Sequence, residues 1–270
     1  MNWTLAIALI FVVLPVVNSF GQTPDGKRTF KCEMNDNPDY LEVLLRGAIS
    51  KNDEVCTRQI LKKGIRPNGK YKNYPGTEPI RLAAMGGTLP GIIDALFQAG
   101  LDPFSEEVRD ALFRICATGQ SKLLESMVYF NVPVDSKAKN GDTALMFATS
   151  GGDLNMVKLL IKKGADPNAK TITGLTPLIT ANEEESKIRL LLDSGARIND
   201  KDKTGQTAIF YALKNSQKKK LELLLKNGAD PNVKDLQGNS PLEFARQLKE
   251  SDEKKAMIEL LICLGAKEGR

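Results

Sequence analysis

The sequence predicts an all-α solenoid of about seven helix-turn-helix units with projecting turns, and three observations predict it. Gly164-Ala165-Asp166-Pro167-Asn168 recurs as Gly228-Ala229-Asp230-Pro231-Asn232, with the looser Gly195-Ala196-Arg197-Ile198-Asn199 between them. A second landmark keeps register with the first: Gly141-Asp142-Thr143-Ala144-Leu145, then Gly174-Leu175-Thr176-Pro177-Leu178, Gly205-Gln206-Thr207-Ala208-Ile209 and Gly238-Asn239-Ser240-Pro241-Leu242. From Thr143 to Thr176, Thr207 and Ser240 the intervals are 33, 31 and 33 residues. Finally, extending the register backward places repeat starts near 43, 78, 110, 143, 176, 207 and 240. The fifth residue after each start is Ala48, Ala83, Ile115, Ala148, Ala181, Ala212 and Ala245: six of the seven are the small side chain needed where a helix packs between neighbours, and Ile115 marks the third repeat as the least regular.

In chain order, the first element is a leader. Trp3 to Val17 is uncharged and almost wholly apolar, but about 15 helical residues reach only ~22 Å, short of the ~30 Å hydrocarbon core. Pro15 interrupts it, and Ser19 and Gly21 supply small residues for cleavage before Gln22, so residues 1–21 read as a signal peptide. No Lys or Arg precedes the apolar run, which keeps an uncleaved tether as the alternative. An N-terminal segment follows over residues 22–39, then the repeats over 40–266 and a tail over 267–270. Cys32 precedes the repeats and Cys56 lies in the first of them; a bridge between them would close a loop of about 25 residues, and the sequence leaves open whether they pair. Cys116 and Cys263 fall among apolar helix positions and read as small buried hydrophobes.

Within a repeat, Thr or Ser followed by Pro or Ala starts a short helix, the hydroxyl capping a free N–H and proline fitting the first helical position. A second helix follows with apolar residues at helical spacing, as in Met156, Val157, Leu159, Leu160 and Ile161. Glycine then closes it at Gly164, Gly195, Gly228 and Gly265, and a polar stretch leads to the next glycine as a projecting turn. One unit alone leaves an apolar face open, so neighbours must stack. The repeat from Thr176 is two residues short, with Glu183, Glu184 and Glu185 in its turn, and the last repeat carries extra residues around 247–254.

This period, with both landmarks in register, resembles the ankyrin repeat over nearly the whole chain. The resemblance departs at one position: the residue after the Thr-Pro-Leu triplet, commonly histidine in that family and a knitting group between turns, is here Arg81, Phe113, Met146, Ile179, Phe210 or Glu243. Packing is expected to replace those hydrogen bonds. What the resemblance implies is a scaffold without catalysis of its own, touching a partner through its concave face, on the projecting tips and the exposed side of the first helices. Mapped onto this chain, that surface comprises Tyr74, Met85, Lys139, Ile172, Leu175, Lys203 and Leu236. Apolar Tyr74, Ile172 and Leu236 either form a contact surface or tuck against the adjacent tip.

Composition narrows the chemistry. Of 270 residues, 41% are hydrophobic and 26% charged, as a folded chain requires, and the formal net charge is +5. No histidine is present, which removes His-based triads, HExxH sites and Cys/His zinc fingers. Gly86-Gly87 and Gly151-Gly152 match no phosphate-loop pattern and read as turns; Asp200 to Lys203 lacks the glutamate of a calcium loop; Glu106-Glu107 has no apolar pocket to make it an acid or base. The basic run from Lys214 to Lys220 has no interleaved aromatic residue for a base to stack on and reads as a solvated loop. The expected partner is therefore another protein, bound by a monomer that carries no cofactor, no metal and no nucleic acid, and whose mature chain is exported and free of the membrane. The alternatives are a secreted effector or toxin-neutralising protein, or an enzyme regulator acting through polar groups near Tyr71 to Arg81.

Overall fold

The computed structural model describes residues 20–22, 28–30, 32–68, 78–85 and 87–267. The expected leader, through residue 19, lies outside them, as do Tyr74 and its neighbours. Two short strands, β1 (Phe20–Gln22) and β2 (Arg28–Phe30), pair antiparallel, with Phe20 opposite Phe30; β1 spans the Gly21–Gln22 junction at which cleavage was expected. Among the described residues the elements after them are helices, apart from an isolated bridge between Lys137 and Thr143. The chain divides into two compact units, residues 1–83 with 87–101 and residues 84–86 with 102–270.

The first unit holds α1 (Pro38–Ser50), α2 (Glu54–Lys62), α3 (Pro79–Ala83) and α4 (Pro90–Gln98). Helix α1 packs on α3 and α2 on α4, so two helix pairs stack. Leu45, Ala48, Ile60, Ile80, Ala83 and Leu96 are fully enclosed between them. Helix α1 begins at Pro38, ahead of the expected start near Val43, because Asn37 takes the capping role and accepts from the Asp39 and Tyr40 N–H groups. Cys32 and Cys56 are joined by a disulfide, Cα to Cα 5.6 Å, which fastens the segment before α1 to α2.

The second unit contains α5 (Glu106–Ala117), α6 (Ser121–Tyr129), α7 (Ala144–Ser150), α8 (Leu154–Lys162), α9 (Pro177–Thr180), α10 (Glu185–Asp193), α11 (Ala208–Lys214), α12 (Lys218–Lys226), α13 (Pro241–Gln247) and α14 (Asp252–Cys263). First helices α5, α7, α9, α11 and α13 pack in one row, and second helices α6, α8, α10, α12 and α14 in another. This is a helical solenoid, each pair burying its apolar faces against the next. The small-residue position sits inside: Ile115, Ala148, Ala181, Ala212 and Ala245 are all buried. Ser105 caps α5, so that helix starts four residues before the expected Asp110.

The caps follow the chemistry of the sequence, with one exception. Thr143, Thr176 and Ser240 accept through their hydroxyls from the N–H groups of Met146, Ile179 and Glu243, and Glu243 returns a bond to the Ser240 N–H at 2.7 Å. Thr207 makes no such bond, although its hydroxyl is buried. Gly151 and Gly152 sit at the turn between α7 and α8, where an added Cβ would meet Ala117 O and Cys116 O, each at 2.7 Å. Close backbone approach, not phosphate, is the reason for that pair. Cys116 is buried as expected, with burial pushing its thiol pKa far up, whereas Cys263 is exposed because it is the last residue of α14.

Candidate functional site

The projecting turns of the second unit are built by their own backbone. Each closes with a bond from one limb to the other: Ala138 N–H to Asp142 O, Thr171 to Leu175, Asp202 to Gln206 and Asp235 to Asn239, at 2.8 to 3.0 Å. Successive turns are then tied together, since Ile172 donates to Asn140 O, Lys203 to Thr173 O and Leu236 to Thr204 O, each at 2.9 Å. Gly174 is needed here twice over. Its φ is +87°, and an added Cβ would lie 2.9 Å from both Asp202 Cα and Lys203 N in the next turn. Beneath the turns, the asparagine ending the repeated motif bridges to the following repeat: Asn168 donates to Gly195 O at 3.0 Å and accepts from the Arg197 N–H at 2.8 Å, and Asn232 does the same with Gly265 and Lys267. An amide offers both a donor and an acceptor, which is why this position is asparagine.

On this ladder Lys139, Ile172, Lys203 and Leu236 occupy one place in four successive tips, two residues before the turn glycine, and all four are exposed. Ile172 is 60% and Leu236 77% exposed, so neither tucks against its neighbour. Leu175 is half-buried and its N–H bonds the Thr171 hydroxyl, which makes it part of the turn and not of the surface. Met85 is exposed in the turn after α3. Tyr74 lies outside the described residues.

Two sets of lysines matter that were not singled out in the sequence. Lys137, Lys170, Lys201 and Lys234 stand four residues before each turn glycine, again all exposed. Counting from both landmarks would have found this column. The second set is internal. The third residue of each second helix is Cys56, Ile92, Leu123, Met156, Lys187, Lys220 and Lys254, and all seven are buried. Lys220 corrects the reading of its run as a solvated loop: residues 218–220 open α12, and the Lys220 ammonium donates to Ile179 O at 2.9 Å and Ala181 O at 2.6 Å. Those carbonyls are free because α9 is a single turn. Lys187 reaches Gly152 O and pairs with Glu184 at 2.8 Å, and Lys254 reaches Arg246 O, Leu248 O and Glu250. Only Lys220 faces carbonyls without a carboxylate, and burial lowers its pKa to about 7.

The residues that resembled part of a calcium loop have another task. Asp202 accepts from the Thr204 N–H and hydroxyl, the Gln206 N–H and the Tyr211 hydroxyl, at 2.7 to 2.9 Å. Partial burial works to raise its pKa, and those hydrogen bonds outweigh it and hold the carboxyl below its ordinary value. Burial, followed by that same carboxylate, pushes Tyr211 up to about 12. Among the described residues no group of His, Cys, Asp and Glu could hold a metal ion. A recess between α10 and α12 is lined by Glu185, Arg189, Lys219, Glu222 and Lys226. Four of its charges are already matched, Arg189 with Glu185 and Lys226 with Glu222.

Taken together, stacked helix pairs with hydrogen-bonded projecting turns define an ankyrin-repeat solenoid. A family model of three ankyrin repeats matches residues 80–171, 112–202, 166–235 and 188–268, and the chain belongs to the ankyrin repeat family. It is similar to alpha-latrocrustotoxin-Lt1a of Latrodectus tredecimguttatus, 30% identical over 57% of this chain and 10% of that one. The ankyrin repeat and KH domain-containing protein mask-1 of Caenorhabditis elegans is 30% identical over 42% of this chain and 4% of its own length. For the human NF-kappa-B inhibitor alpha the identity is 28% over 55% of this chain and 49% of the inhibitor. The chain thus spans half or less of each of these relatives. Ankyrin repeats serve protein-protein interaction, and proteins of this family are typically scaffolds without catalysis, although an E3 ubiquitin-protein ligase and a mitochondrial disaggregase also match.

Proposed function

We propose that the chain is an exported ankyrin-repeat scaffold that holds another protein on its concave face and tips, acting as a single chain and without catalysis of its own. The observation that carries this reading is the exposure of Ile172 and Leu236 on turns whose backbone is otherwise fully hydrogen-bonded. Rigid apolar groups held out in water have little structural use and bind a partner without an ordering cost. Export is supported by the disulfide between Cys32 and Cys56, since such bonds persist in oxidising compartments, and by the apolar leader. The test is capture from the native compartment with the mature N-terminus read by mass spectrometry, then affinity measurement for the captured protein. Ile172→Ser with Leu236→Ser should weaken binding at least tenfold without changing the melting temperature. Unchanged affinity would reject this face, and a chain retained in a reducing compartment with Cys32 and Cys56 as thiols would reject export.

A further inference from the structure

We infer that the tip edge of the second unit docks an extended acidic segment of a partner protein, with two apolar side chains about six residues apart. This rests on the scaffold reading and names the partner's chemistry. The charges of the tips are sorted by sign. Most tip carboxylates are drawn back towards the chain: Asp235 is buried and takes the Gln237 and Asn239 N–H groups, half-buried Asp202 accepts from Thr204, Gln206 and Tyr211, half-buried Asp142 from the Asn140 side chain, and half-buried Asp200 pairs with Lys170, while exposed Asp135 accepts from the Asp166 N–H. Lys137, Lys139, Lys170, Lys201, Lys203 and Lys234 are all exposed, and of these Lys170 has a carboxylate partner. Among the described residues Lys137, Lys139 and Lys203 form no salt bridge, and Lys201 rests on the Lys234 carbonyl at 2.9 Å, a neutral acceptor that leaves its charge uncompensated. With most carboxylates set back and the ammoniums at the rim, the outermost layer of the tips is positive even though the tip charges nearly balance, and that layer attracts and orients an acidic partner.

Apolar positions give the edge its register. Along the tips the order is Lys139, Ile172, Lys203, Leu236, so the two apolar groups are two repeats apart with a cation between them. Packed helices stand about 8 to 10 Å apart, which places Ile172 and Leu236 roughly 20 Å from each other. An extended chain rising about 3.3 Å per residue covers that in about six residues. A nucleic acid fits less well, because the tip positions from Lys137 to Leu236 bear no aromatic side chain for base stacking and no arginine fork. A flat membrane would use the lysines, but two isolated apolar side chains bury little surface in it.

Selection of a displayed library of random 14-residue peptides on the full chain tests this. Winning peptides should be net acidic, carry two apolar residues five to seven positions apart, and bind more weakly as salt rises from 50 to 300 mM. Lys139→Glu with Lys203→Glu should weaken them at least tenfold, with an unchanged thermal melt showing that the fold is kept. Neutral or basic winners overturn the inference, as does binding to phosphatidylserine vesicles or to a single-stranded oligonucleotide with no acidic peptide selected. Winners indifferent to the tip variants overturn it while leaving the scaffold reading intact. If no peptide is selected and native-compartment capture retains no protein, both fall.

Discussion

Replacing Lys220 by methionine tests whether a charge is held inside the stack at a measurable cost. The side chain is 1% exposed, its ammonium touches two carbonyls and no carboxylate, and burial lowers its pKa from 10.5 to about 7. The unfolded chain therefore binds one more proton than the folded chain between about pH 7 and 10.5. Stability must rise with pH across that window, by up to about 1.4 kcal/mol per unit and by about 2 kcal/mol between pH 7 and 9. Met156 shows that methionine fits the equivalent position of α8. Substitution leaves Ile179 O and Ala181 O without their donor, a loss of roughly 1 to 2 kcal/mol at any pH. Because the unfolded lysine is still charged at pH 9, burying it there costs the parent about 2 kcal/mol, so Lys220→Met should lie about level with the parent at pH 9 and be the more stable of the two at pH 7. Urea titrations of both proteins at half-unit steps measure the difference. Parallel profiles from pH 7 to 9 would mean that the ammonium is held at its ordinary pKa by the two carbonyls, and the reasoning would fail.

Two further substitutions probe how the chain is fastened. Cys32→Ser, which opens the bridge to Cys56 across a sequence separation of 24, should lower the stability of the first unit by roughly 3 kcal/mol in urea, and reductant should reproduce the loss in the parent but have no effect on the variant. Gly174→Ala adds a Cβ against backbone in the next turn at positive φ, whereas at Gly164 φ is +91° with nothing within 4 Å. Gly164→Ala should cost about 1 kcal/mol and Gly174→Ala roughly 3, read from denaturation midpoints; equal losses would show that the turns are not in contact.

What could be read from the sequence was what local backbone chemistry repeats. Thr143, Thr176 and Ser240 cap helices and Gly164 closes one whatever surrounds them, so spacing alone revealed their roles. The alanine position was legible for the same reason, because a helix between two others leaves little room, and the third repeat alone accommodates a larger side chain there, Ile115. Outside the regular repeats the landmarks weaken, and α1 and α5 start earlier because Asn37 and Ser105 offer caps that no periodicity marks. Exposure of Ile172 and Leu236 was a question of side-chain direction on a turn, which depends on how neighbouring turns hydrogen-bond.

The internal lysines were hidden for a deeper reason. A lysine in a basic run next to polar residues reads as solvated, and Lys220 has Lys218 and Lys219 before it. Its burial follows from position, since the third residue of a second helix points into the stack in every repeat, and a lysine there resembles the isoleucine, leucine or methionine it replaces over most of its length. What differs is the head group, which suits a site only where carbonyls are unpaired. Two repeats create such carbonyls through shortening or extension, since α9 is cut to one turn and α13 gives way to a looped connection before α14, whereas Lys187 takes the Gly152 carbonyl of a regular repeat. Packing was expected to replace the hydrogen bonds of the missing histidine; in these repeats lysine ammoniums supply hydrogen bonds of their own, from the second helix instead of the first. For Lys220 and Lys254 the irregular repeat length and the buried lysine are therefore one feature, and restoring a regular length at α9 should remove the need for Lys220.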